Sequence, residues 1–136
     1  MSKAPAHVWT VMCDDIREEK YNKVSLMGLY GPDLFLRGLP GALPKLAFFV
    51  IVQGGNGNQK LSFSLVDPDG ALMVGGEAEL SIPEDAKEDQ RGNLPIIFGP
   101  VVFRREGPHR FEMRLEGEER PFSSLVFNVA ANPNVF

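Results

Sequence analysis

Residues 107–117 read Gly-Pro-His-Arg-Phe-Glu-Met-Arg-Leu-Glu-Gly, and apolar and charged side chains alternate from His109 to Glu116 without a slip. Leu125, Phe127 and Val129 resume the same alternation a few residues later. A period of two sends successive side chains to opposite faces of a pleated strand, so each segment can bury one face and wet the other. Two such segments joined by a glycine turn predict an antiparallel pair. Similar runs recur along the chain, and together they predict an all-β fold, an antiparallel β-sandwich of immunoglobulin-like type with roughly seven to nine strands.

The individual strands follow from the same period. Residues 7–13 have strand character, with His7, Trp9, Val11 and Cys13 on one face and Val8, Thr10 and Met12 on the other, ending at Asp14-Asp15. Residues 16–23 carry Arg17, Glu18, Glu19, Lys20 and Asn22 and read as a solvated connection or one helical turn. A strand over 24–30 is broken by Gly31-Pro32-Asp33, and Leu34 and Leu36 suggest a short edge strand before Gly38, Pro40, Gly41 and Pro44 enforce a loop.

Residues 46–52, Leu-Ala-Phe-Phe-Val-Ile-Val, are apolar on both faces, which a strand with one wet face does not tolerate. Its outer side must be covered, by the loop at 38–44, by the polar loop at 83–93, or by a second copy of the protein. Gly54-Gly55-Asn56-Gly57-Asn58 looks like a hairpin loop, so this run is expected to pair with Leu61, Phe63 and Leu65. Asp67-Pro68-Asp69-Gly70 is a tight turn into a further strand, in which a bulge is expected at Gly75-Gly76 and Ala78, Leu80 and Ile82 face inward. Residues 94–103 contain Pro95, Gly99 and Pro100 and can form only an edge strand or two short pieces around a kink. The tail at 132–136 leaves the strand period and is expected to be loose unless Phe136 docks back.

At 136 residues the chain is read as a single domain, 1–136, long enough to bury a core without staples. Ten phenylalanines supply much of that core. The net charge of -4, with Lys and Arg scattered singly, argues against nucleic acid and against anionic membrane as partners. One cysteine forbids an internal disulfide and points to a reducing compartment. Residues 1–9 lack the apolar stretch of a signal peptide and no run approaches the length of a membrane span, so a cytoplasmic location is expected.

The pattern Gly107-x-His109-x-Phe111-x-Met113 is similar to the penultimate strand of immunoglobulin-like and fibronectin-like sandwiches. That resemblance implies His109 at the tyrosine-corner position and Phe111 at the position of a disulfide cysteine. Histidine replaces tyrosine here, and no partner cysteine exists. Met12-Cys13-Asp14-Asp15-Ile16-Arg17, followed by Lys23-Val24-Ser25-Leu26-Met27-Gly28-Leu29-Tyr30-Gly31, resembles a family of uncharacterised bacterial β-sandwich proteins. This family shares a Cys-Asp-Asp opening and has no assigned activity, so the resemblance implies none.

Several residues invite a chemical reading. Asp14 and Asp15, with Glu18, Glu19, Asp67 and Asp69, offer oxygen ligands to calcium, but neighbouring strand positions point apart and the spacing of a helical calcium loop is absent. His7 and His109 lack a zinc-type set of further ligands, and Cys13 shares an apolar face, where a free cysteine is a small hydrophobe. No metal site and no cofactor are expected. There is no nucleophile elbow and no phosphate loop. Exposed acids such as Glu77, Glu79, Glu112 and Glu116 fit a solvated sheet face. Trp9 is read as core, His109 as packed at the sandwich corner and bonded to backbone, Tyr30 as the best exposed aromatic and Arg17 as the cation near the acidic corner.

The leading expectation is a non-catalytic sandwich that acts through protein contacts, by an open sheet edge or by the strand at 46–52, with a homodimer as the simplest form. One alternative is a small-ligand or calcium module at the strand-end loops around Asp14, Asp15, Arg17, Tyr30 and Asp33. Another is a hydrolase whose site carries no recognisable motif, for which no nucleophile, base and oxyanion set can be named.

Overall fold

The two-residue period is realised in eleven strands among the described residues, 3–134, of this computed structural model. They are β1 (Ala6–Glu19), β2 (Lys23–Leu29), β3 (Asp33–Leu36), β4 (Gly41–Leu43), β5 (Leu46–Gln53), β6 (Gly57–Val66), β7 (Leu72–Ile82), β8 (Arg91–Phe98), β9 (Val101–Phe103), β10 (Gly107–Leu115) and β11 (Ser123–Ala131). One four-stranded sheet has the order β2-β1-β5-β8, and a five-stranded sheet has the order β3-β11-β10-β6-β7. The pair β4-β9 stands apart. All pairings are antiparallel except β3 with β11. The chain crosses directly from one of these sheets to the other between β2 and β3, between β5 and β6 and between β7 and β8, and β11-β10-β6-β7 reproduces the G-F-C-C′ order of an immunoglobulin-like sandwich. The larger strand count comes from β4, which lies in the expected 38–44 loop, and from the split of residues 91–103 into β8 and β9 at Gly99-Pro100.

The core lies between the sheets. Phe48 of β5 and Phe111 of β10 stack face to face across it, their ring centroids 4.1 Å apart and inclined by 6°. Phe98 and Phe127 pack against the same ring, and Leu46, Val50, Leu65, Phe103, Met113 and Val129 are buried around it. Phe63 and Leu80 are half-buried against this cluster. Each aromatic pair in such a set contributes about 0.5–1.5 kcal/mol beyond the area it buries.

Several expectations are corrected. Residues 46–52 and 61–65 do not form a hairpin, because the glycine-rich loop carries the chain between sheets: β5 pairs with β1 and β8, and β6 with β10 and β7. No register shift occurs at Gly75-Gly76; the irregularity lies further along, where Leu65 faces Val74 and Val66 faces Leu72, leaving Met73 as the extra residue on β7. The glycine at 76 instead leaves room for the Phe63 ring, which would lie 2.8 Å from an added Cβ. Strand β1 does not stop at Asp14-Asp15 but continues to Glu19, and Lys20–Asn22 forms the single helical turn. A register shift between His7 and Trp9 turns His7 onto the inner face with Thr10 and Met12, away from Trp9. The tail is described only to Asn134, so the expectation for Phe136 falls outside the described residues. No helix among the described residues is long and apolar enough to cross a membrane.

Candidate functional site

The outer face of the four-stranded sheet is built by register. Leu29, Cys13, Ala47 and Ile97 lie in one row across β2, β1, β5 and β8. Val11, Phe49 and Pro95 form the next row, and Trp9, Ile51 and Asn93 the one after. Directly paired residues share a face, so all of these point away from the main core. Yet Phe49 is only 3% exposed and Ala47 fully buried.

Within the chain, neither of the two loops expected as covers, 38–44 and 83–93, accounts for this. Ile16, Val24 and Leu26, from the β1-β2 hairpin, pack with Cys13, Ala47 and Phe49 in a second apolar cluster. Cys13 and Ile16 are three residues apart, of opposite parity on a flat strand, and they meet because the long two-stranded ribbon twists over the sheet. The residues read as a solvated connection therefore include a buried Ile16. The cover is partial. Trp9 is 43% exposed, Ile97 48% and Leu29 59%, and Met27 is also exposed. Trp9 is thus an outer-face residue and not core, its ring edge-on to Phe49 at 6.4 Å.

The five residues expected at the strand-end loops divide into three places. Tyr30 is half-buried against the main core, and its hydroxyl donates to Asp14 Oδ1 over 2.5 Å. Burial, together with the hydrogen bond to Asp14 and its charge, pushes the Tyr30 phenol well above the usual tyrosine range. Asp15 accepts from Lys45 Nζ at 3.2 Å and from the backbone N–H of Ile16, with the Arg17 guanidinium at 3.9 Å. The Lys45 bond, then the Ile16 N–H and both cations, hold its carboxyl below the usual range. Asp33 starts β3 on the other sheet, beside Asn128. Asp14 and Asp15 do not converge, and no group of three or more His, Cys, Asp or Glu among the described residues is placed to hold a metal ion.

Other polar groups come together without a signal in the sequence. His7 Nε2 lies 2.7 Å from Thr10 Oγ1 and 3.2 Å from Ser123 Oγ, and the two hydroxyls are 2.9 Å apart. The bulge makes this possible by turning His7 toward Thr10, and β11 supplies Ser123 from the opposite sheet. A serine beside a histidine nitrogen is half of a nucleophile and base arrangement. No carboxylate orients His7 Nδ1 among the described residues, and Ser123 is buried, so the triangle is a polar tie between the sheets. Glu112, expected on a solvated face, is nearly buried and ion-paired on both sides, to Arg110 Nε at 3.0 Å and Arg114 Nη2 at 2.9 Å. Its neighbours two positions away share its face, which the alternation places there.

His109 fits its expected role. It is 1% exposed, its Nδ1 donates to the Gly107 carbonyl at 3.0 Å, and its ring packs on Phe103 and Phe127.

Fold and surface together define an immunoglobulin-like β-sandwich whose conspicuous surface feature is apolar. The chain belongs to a family of unknown function, DUF6941, whose model matches residues 8–130. Among solved structures it is similar to an immunoglobulin-like protein from Pseudomonas aeruginosa, at 13% identity over 88% of this chain and 91% of that one, with a TM-score of 0.36. No curated protein matches the sequence significantly.

Proposed function

We propose that this protein acts by binding protein rather than by catalysis, through the outer face of the four-stranded sheet, and that a second copy is the simplest partner. The observation that carries this reading is the position of Trp9, Ile97 and Leu29, all more than two-fifths exposed on the same sheet face as the buried Phe49. Contiguous apolar patches on soluble proteins mark interaction sites, and tryptophan is enriched among residues that dominate binding energy. Two such faces packed together would hide Trp9 and Ile97, as sheets do in a sandwich.

Multi-angle light scattering across a concentration series tests the homodimer. The native protein is expected to give twice the chain mass, and W9E combined with I97K to give the chain mass with an unchanged β circular dichroism spectrum. A native protein that stays monomeric at millimolar concentration overturns the homodimer.

A further inference from the structure

We propose a second binding site, independent of the sheet face above: the groove between the open edges of β7 and β9 takes an extended peptide segment carrying a carboxylate. The groove is a cavity of about 410 Å³ at one end of the sandwich. Its walls are three consecutive residues at the start of β7, Leu72, Met73 and Val74, and three around β9, Pro100, Val101 and Val102.

The cavity touches β7 at Leu72–Val74, where Met73 is the extra residue opposite β6, and β9 at Val101 and Val102, just after Pro100. Strand β7 is the last strand of its sheet, and β9 has β4 on one side and no strand on the other. Each strand therefore has an edge not paired with another strand beside the groove, the kind of edge that accepts an added strand. Sheet edges are commonly guarded by charge or proline. Strand β8 carries Pro95 and the far half of β7 carries Glu77 and Glu79. Residues 72–74 carry neither charge nor proline; the irregularity at Met73 and Pro100 before β9 are the guards at this end, and Leu72 is 67% exposed.

Polar groups at the groove select the occupant. Arg104 lines it and has no ion-pair or hydrogen-bond partner among the described residues. Arg105 lines it too and is paired with Asp69. Asp67, the one acid in the wall, has its Oδ1 occupied by the backbone N–H groups of Asp69 and Ala71. Arg104 is the free charge, and a guanidinium in a partly apolar setting favours a carboxylate. The buried His109 also lines the cavity. Its Nδ1 is committed to Gly107, so in the neutral ring Nε2, which has no protein partner among the described residues, is an acceptor for a peptide N–H.

The test uses the full chain, isotope-labelled for NMR, and three synthetic pentapeptides of sequence Val-Thr-Val-Thr-Val: one with a free C-terminal carboxylate, its C-terminal amide, and the free acid with alternate backbone nitrogens methylated. The free acid is expected to shift the amides of residues 72–74 and 101–105, and to bind about tenfold more tightly than the amide or the methylated peptide, a difference of about 1.4 kcal/mol. R104E, at an exposed position, is expected to erase the preference for the acid while leaving the rest of the spectrum in place. Equal binding of acid and amide, undiminished binding of the methylated peptide, or no shift at 72–74 with millimolar peptide overturns the proposal. Butyrate that reproduces the shifts at the same concentration as the peptide does so as well, since the site would then be a small-carboxylate pocket.

Discussion

The Tyr30 hydroxyl and Asp14 Oδ1 are 2.5 Å apart, and the backbone N–H of Tyr30 reaches the carbonyl of Met12 at 2.9 Å. The exit of β2 is thereby tied to β1 by a side chain and by backbone. Because burial and Asp14 raise the Tyr30 phenol above the ordinary tyrosine value of 10.0, the folded state holds that proton more firmly than the unfolded chain. The stability this contributes is complete below about pH 10 and is lost as the pH rises through the folded value. Absorbance at high pH is expected to show one tyrosine ionising well above the free range, a step that Y30F removes. Y30F should also lower stability by about 1 kcal/mol in urea unfolding. A Tyr30 step at the ordinary pH would contradict the bond.

Gly28 faces Asp14 across the same ribbon with φ of +68°, and an added Cβ would collide with the Asp14 carboxylate. G28A is therefore expected to cost about 2–3 kcal/mol, from the left-handed backbone and from the collision together. Measured against D14A, which itself loses the Tyr30 bond, G28A should cost only the backbone part, about 1 kcal/mol. Strict additivity of the two changes in a thermal-unfolding cycle would show that they do not touch.

Phe49 lies on an outer sheet face but is buried by the β1-β2 hairpin, so it should behave as core. F49A is expected to destabilise by about 3–5 kcal/mol, and I97A, on the same face, by about 1 kcal/mol or less. Comparable urea midpoints for the two variants would mean that the hairpin does not cover Phe49.

His7 has its basicity lowered by burial. Its folded pKa is below that of the unfolded chain, 6.5, so its stabilising contribution is complete above that pH and is lost as the pH falls through the folded value. NMR titration of the His7 ring protons should place its midpoint below 6.5. A midpoint above 6.5 would mean that Nε2 is not held as an acceptor by Thr10 and Ser123.

Strand identity was legible where alternation is strict, as in β10, whose buried Phe111 and Met113 alternate with Arg110 and Arg114. The turn at Asp67-Pro68-Asp69-Gly70 was equally legible, because its bonds are local: Gly70 N–H donates to the Asp67 carbonyl, and the Asp67 carboxylate accepts from Asp69 and Ala71. Partners were less so. A loop rich in Gly and Asn turns the chain equally well into a hairpin or across a sandwich, which is why β5 and β6 were expected to pair. Of the candidate site, the Tyr30 and Asp15 regions were named from residue type alone. Lys45 at Asp15 and Ser123 at His7 lie 30 and 116 positions away and carry no local signature.

By itself the chain determined its class: two-residue periodicity with tight-turn residues commits it to antiparallel sheets around a phenylalanine-rich core, and a strand apolar on both faces demands a cover. What only tertiary structure decided is which element supplies the cover and which face Trp9 takes. Those outcomes depend on a one-residue bulge after His7 and on the twist of a long ribbon. A bulge reverses the parity of residues on one side of it, and twist accumulates along the strand, so both act over distances that a local pattern does not encode.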